Sequence, residues 1–276
     1  MDEQPVAVPV AQAEKKYQLG AVAGGELPDL GALFNETLAE FMDHLGPYVL
    51  AALGQFLVAV PVGIAMVVVL YVLMIFGMFG VMLGGFGLGA VLMQLSEGLG
   101  AIVMLLGYVA SIFSPLASMV PVLVLTVVLL APFNASLVRA VAAHQRGEKV
   151  LDLSAAFSTV TQDLVSVVLV ALAVGTLVGV GLMLCFLPAM AVPLVIGFAS
   201  SMTALHHVGA VRSLRDNVGH VLAHPTWHLT FGLVYIALSM VAGYLPLIGS
   251  MFVVALHVRA YRRVFGDGDT PVLTVG

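Results

Sequence analysis

The stretch NVGHVLAHPTWH, residues 217 to 228, sets His220, His224 and His228 at a step of four, with His206 and His207 just upstream. Five of the chain's eight histidines therefore crowd together. Two imidazoles one helical turn apart can bind one metal ion, and His206, His207 or His144 could complete the set. Geometry limits that reading. Arg212, Asp216, His220 and His224 fall on one stripe of a helix. At a rise of about 1.5 Å per residue, Asp216 and His224 stand about 12 Å apart along the axis, too far to meet on one ion. No Glu follows His220 as in a metalloprotease helix, and the three His boxes of a membrane di-iron enzyme are missing. The stripe is expected to be the wet face of an interfacial helix, with Arg212 pairing with Asp216 and the imidazoles at headgroup level. No catalytic residue, metal ligand or cofactor is assigned. His206, His207, Asp216, His220 and His224 remain candidate functional polar residues.

Glu97 is the second group of interest, because it is the only formal charge between Asp43 and Arg139. A carboxylate at bilayer depth would mark a transport path or a proton site. The neighbouring Ser96, Gly98 and Gly100 favour a turn that leaves it in water.

The elements that must position these groups follow from composition. With 61% hydrophobic and 9% charged residues and a mean hydropathy of +1.11, the chain reads as an integral membrane protein. Residues 44–96, 98–138, 164–211 and 217–258 carry no formal charge. Each of these tracts exceeds the roughly 20 apolar residues that cross a bilayer. The single cysteine, Cys185, excludes an intramolecular disulfide. A net charge of -5 and the lack of a basic face give no expectation of nucleic-acid binding.

Topology is read from the basic residues, which stay on the cytoplasmic side. All ten fall in four clusters: Lys15 and Lys16; Arg139, Arg146 and Lys149; Arg212 and Arg215; Arg259, Arg262 and Arg263. If all four are inside, each interval holds an even number of crossings. Residues 164 to 185 and 188 to 210 make one hairpin turning at CFLP, and residues 226 to 243 and 247 to 265 another turning at GYLPLIG. The first interval offers spans from about Pro47 to Phe76 and from about Leu116 to Ala143. Between them lies the Gly-rich apolar stretch 77–114, expected as a re-entrant or short transmembrane hairpin turning at LSEGLG. A single crossing from about 88 to 112 would instead place the N-terminus outside. Gly80/Gly84, Gly85/Gly89 and Gly175/Gly179 suit close helix packing.

Each hairpin is preceded by a segment with amphipathic spacing, at 29–46, 152–163 and 209–224. In the first, Leu30, Leu33, Phe34, Leu38, Phe41, Met42 and Leu45 recur at steps of three and four. In the third, Val211, Leu214, Val218, Val221 and Leu222 do so. Overlaying these two segments puts His44 on His224. The expected fold is all-α, a polytopic helical membrane protein. Its plan is about three parallel repeats of interfacial helix plus transmembrane hairpin, six spans plus the Gly-rich hairpin, so six to eight. A mobile tail is expected over 1–28, with no basic segment ahead of an apolar run to make a signal peptide. A single transmembrane domain over 29–265 and a C-terminal tail over 266–276 complete the plan.

The C-terminal residues carry a resemblance. Ala210, Arg212 and Ser213 at a turn, Trp227 at an aromatic helix start, Pro246 and Gly249 in a broken hairpin, and Tyr261-Arg262 at its end resemble a broad bacterial group of six-helix membrane proteins. That group includes the membrane domain attached to some glycerophosphoryl diester phosphodiesterases. The resemblance covers the last sixty or so residues and the N-terminal helix loosely, and 77–114 looks like an insertion. It implies a multi-pass protein of the bacterial plasma (inner) membrane and supplies no catalytic residues, while the basic clusters are what place both termini in the cytoplasm. The function expected is non-enzymatic. The chain would organise or assemble with other membrane components, its partners being the lipid bilayer and other membrane subunits or copies of itself. The alternatives are a transporter or channel working around Glu97, and a metal-dependent membrane enzyme using the histidines.

Overall fold

A computed structural model describes residues 27–148, 152–184, 186–245 and 247–266. Most of the expected N-terminal tail, the C-terminal tail beyond Gly266, and Lys15, Lys16, Lys149, Cys185 and Pro246 lie outside the described residues.

Among the described residues all regular structure is helical. In chain order the α-helices are α1 Leu30–Asp43, α2 Leu45–Met93, α3 Glu97–Gln145, α4 Leu153–Val160, α5 Leu164–Leu184, α6 Phe186–Ile196, α7 Ala199–His206, α8 Ala210–Ala223, α9 Pro225–Ala242 and α10 Ile248–Phe265. A short 3₁₀ turn, Thr161–Asp163, joins α4 to α5. Local chemistry sets several starts. Asp29 accepts from the Ala32 amide at 2.8 Å, Asp152 accepts from the Ser154 and Ala155 amides, and Ser96 begins α3. In each case a side-chain oxygen satisfies an amide that the helix cannot.

Five helical stretches are long and apolar enough to cross a membrane: α2, α3, Leu153–Leu184, Ala189–His206 and α9. The sixth expected span, 247–265, is the helix α10. It matches α9 in length, but Arg259, Arg262 and Arg263 keep it out of that class. Instead half of α10 is enclosed, with Met251, Val253, Ala255, Leu256, Val258, Ala260, Tyr261, Val264 and Phe265 buried. The main core gathers around it from α1, α2, α3, α7 and α9.

The largest departure from expectation is in the first interval. Residues 77–114 do not form a separate hairpin; they are the far end of two unbroken helices of 49 residues each. At about 1.5 Å per residue each helix is about 73 Å long. Pro61 in α2 and Pro115, Pro121 and Pro132 in α3 lie inside the helices without ending them. A chain this apolar satisfies its backbone polar groups most readily within a helix, and that outweighs the low propensity of its glycines. The turn falls at Gln94–Ser96, overlapping the LSEGLG stretch singled out above.

Candidate functional site

The distal hairpin is held together by glycines. A Cβ on Gly85 would stand 2.6 Å from the Gly107 Cα, and Gly89 and Gly100 face the opposite helix just as closely. Two backbones can approach this far only where side chains are absent. Gly80, Gly84 and Gly87 have open space at the Cβ position, so they point away from the seam and form an outward small-residue face. The expected pairs Gly80/Gly84 and Gly85/Gly89 therefore divide their labour: Gly85 and Gly89 close the hairpin, and Gly80 and Gly84 do not. Gly175 and Gly179 do pack closely, against Val124 and Val120 of α3. From Val120 back to Glu97 the hairpin runs roughly 35 Å further. Along that length Phe79, Leu83, Phe86, Leu105, Ile112 and Phe113 are exposed. Hydroxyls on the distal part of α3 bond to their own helix, Ser111 to Tyr108 and Ser114 to Ser111.

The opposite end of the molecule is ionic. Arg139 donates from Nη2 to Asp163 Oδ2 at 2.8 Å and from Nε to the Ala204 carbonyl, and His207 Nδ1 meets the same carboxylate oxygen. This joins the C-terminal end of α3, the start of α5 and the end of α7. His207 ends α7 with a left-handed backbone, φ 55°, a conformation usually left to glycine. Arg259 pairs with Glu36 and Glu40, and Arg263 with Glu36 at 2.8 Å. Tyr48 donates to Glu40, and Arg262 to Gln145. Arg212 and Arg215 both face Asp216. The sequence reading treated Arg139 only as a topology marker. Its link to Asp163 joins the end of one apolar tract to the start of the next, and no local spacing signals it.

The histidines do not lie where the stripe placed them. In α8 the inward face is Ala210, Ser213, Asn217 and His220, whereas Val211 and Leu222 of the expected apolar stripe are 82% and 75% exposed. The helix is turned so that Val211 and Leu222 face outward, Leu214, Val218 and Val221 are half-buried, and a small polar strip faces the bundle. Complementary hydrogen bonds explain the rotation. Asn217 donates to the Val195 carbonyl at 3.0 Å, and Ser213 accepts from Thr203. His220 is buried, not wet. Its Nδ1 lies 2.7 Å from His228 Nε2, and its ring lies against His224 and Phe265. Burial, and then the neighbouring His224, push the His220 pKa down to about 4. The Arg212–Asp216 pair is present as expected, at 3.4 Å. His206 packs on Tyr261, their ring centroids 5.5 Å apart. Among the described residues no group of three or more His, Cys, Asp or Glu is arranged to hold a metal ion. Glu97 is exposed at the first turn of α3, at the hairpin tip, far from every basic residue described above.

Phe198, at the break between α6 and α7, gathers the aromatic groups of α9 and α10. Its ring lies 4.8 Å from His257, 5.5 Å from Phe231 and 5.8 Å from Tyr261. Trp227 stacks on Phe231 and donates to the Pro28 carbonyl. Trp227 and Tyr261, singled out above as part of a family pattern, are thus packing residues. Compared with protein-family models, curated proteins and solved structures, the chain matches none.

Proposed function

We propose that this chain is a non-enzymatic integral membrane protein that assembles with other membrane proteins, copies of itself included, through the distal part of the α2–α3 hairpin. Hairpin length carries the reading. A hydrocarbon core is about 30 Å thick, and helices of 49 residues run about 73 Å. Tilting accommodates part of such an excess. An apolar surface left over is unstable in water and marks an interaction site. The outward Gly80, Gly84 and Gly87 suit a neighbouring helix.

In this reading the ionic end is cytoplasmic, with both termini on that side. Three units of short amphipathic helix followed by a helical pair repeat in one orientation. His44 and His224 support this, because each caps a short helix and opens the next long one, its amide bonded to the carbonyl four residues back. That plan, with the resemblance of residues 210 to 262 to the bacterial six-helix group, points to a bacterial plasma membrane. The transporter and metal-enzyme readings gain no support, since Glu97 stands at an exposed turn and His220 is engaged by His228.

The test is the mass of the purified protein in lipid nanodiscs. More than one copy per particle, reduced by Gly80→Leu with Gly84→Leu, supports self-assembly. An unchanged mass in the double variant contradicts self-assembly through this face.

A further inference from the structure

A cavity of about 300 Å³ lies between α3, α5, α6 and α9. That is the lower end of the range for small-molecule sites, roughly 300–1,000 Å³. Its walls are chiefly aliphatic, with Val127, Val167, Val174 and Leu194 among them. Among the described residues no Asp, Glu, Lys or Arg lines it. Most polar side chains at its edge are already engaged: Asn134 accepts from Gln55 at 3.0 Å, Ser200 bonds to the Gly197 carbonyl, and His228 meets His220. Besides the amide nitrogen of the exposed Asn134 at the rim, two groups retain unused capacity among the described residues. His257 contacts Ser201 through Nε2 at 3.0 Å, which leaves Nδ1 without a partner among the described residues. The Tyr235 hydroxyl likewise makes no hydrogen bond there. The two rings are neighbours, 5.5 Å apart at their centroids, and Phe198 packs on His257 at 4.8 Å and fixes it.

An aliphatic chamber with two adjacent unused hydrogen-bonding groups and no charge selects its occupant. A carboxylate or phosphate would be buried without a counter-charge, at a cost the site does not offset. A hydroxyl or ester carbonyl at the end of a hydrocarbon chain would satisfy both groups. The cavity is walled by membrane-crossing helices, so the occupant arrives from the bilayer. We propose that this cavity binds an uncharged long-chain lipid, its hydroxyl or carbonyl held between Tyr235 and His257. This inference rests on the membrane reading of the proposed function and is independent of the assembly reading.

Trp227 is the chain's only tryptophan and stacks at 5.2 Å on Phe231, which lines the cavity. A brominated chain in the cavity should therefore quench its emission. The full chain in nanodiscs is titrated with dibrominated octadecanol, dibrominated diacylglycerol and dibrominated stearate at a pH where the acid is ionised. Each titration is repeated with unbrominated octadecanol in excess. The expected result is saturable, competable quenching by the alcohol or the diacylglycerol and none by stearate. Response to the alcohol alone identifies a single-chain occupant, and response to the diacylglycerol alone a glycerolipid. Tyr235→Phe, which keeps the ring, should weaken binding about fivefold, the worth of one hydrogen bond. Ala171→Phe, which fills the chamber, should abolish it. Non-saturable quenching shared by all three probes, or stearate binding as tightly as the alcohol, overturns the proposal. So does an unchanged affinity in Tyr235→Phe.

Discussion

Arg139 and Asp163 show how a few charges organise an apolar chain. The guanidinium is 5% exposed and the carboxylate 18%, so removing Asp163 leaves the buried guanidinium without its counter-charge, and removing Arg139 leaves the carboxylate with His207 alone. Asp163→Asn or Arg139→Met should therefore destabilise the fold by about 3 kcal/mol or more, measured by denaturant titration in detergent. His220 gives a pH dependence with a definite sign. Its imidazole protonates near 6.5 when unfolded and only near 4 when folded. The unfolded state thus binds more protons between those values. The His220 contribution is complete above pH 6.5 and is lost as pH falls toward 4. Melting temperatures measured at steps from pH 7.5 to 4.5 should decline, and His220→Gln should remove part of that decline while lowering stability at pH 7.5. Replacing His220 and His224 together with Gln should leave bound metal unchanged by elemental analysis. Stoichiometric zinc lost on that replacement would restore the metal reading.

At the scale of elements, glycines in one hairpin have opposite roles. Gly85 meets Gly107 backbone to backbone, so Gly85→Leu should split the distal seam. Gly84 meets nothing within 4 Å, so Gly84→Leu should leave the seam intact. A disulfide between cysteines placed at Gly77 and Ser114, whose Cβ positions would stand 3.9 Å apart across the hairpin, on a Cys185→Ser background, reports the seam. It should form in the Gly84 variant and fail in the Gly85 variant. The short amphipathic helices and the paired apolar helices were legible in the sequence, because spacing and caps such as Asp29 and Asp152 are local signals. The rotation of α8 was not, since its partners Val195 and Thr203 are contributed by other helices. The continuity of α2 and α3 was also missed. A bilayer-length template cuts a uniformly apolar run into pieces, and nothing in the sequence marks how far it continues. The Tyr235 and His257 pair stayed hidden because the two residues belong to different helices and match no motif.

For the whole molecule, the Arg residues at the ends of α3 and α10 and along α8, the acids of α1 and the Arg139 link lie together, and the apolar hairpin points away from them. In the proposed reading the ionic end faces the cytoplasm, and both termini would lie on that side. A reporter active only outside the cytoplasm, fused at residue 268, should stay silent. The same polarity leaves the distal hairpin to be covered by something other than the rest of its own chain. The most direct measurement is photo-cross-linking in native membranes, with a diazirine amino acid in place of Gly84, where the structure leaves open space. The account predicts a protein adduct of discrete mass, a dimer of this chain or a defined partner, that is absent when the probe replaces Met104, whose side chain lies against Gly89 within the seam. Adducts confined to lipid, or none at all from Gly84, would contradict it.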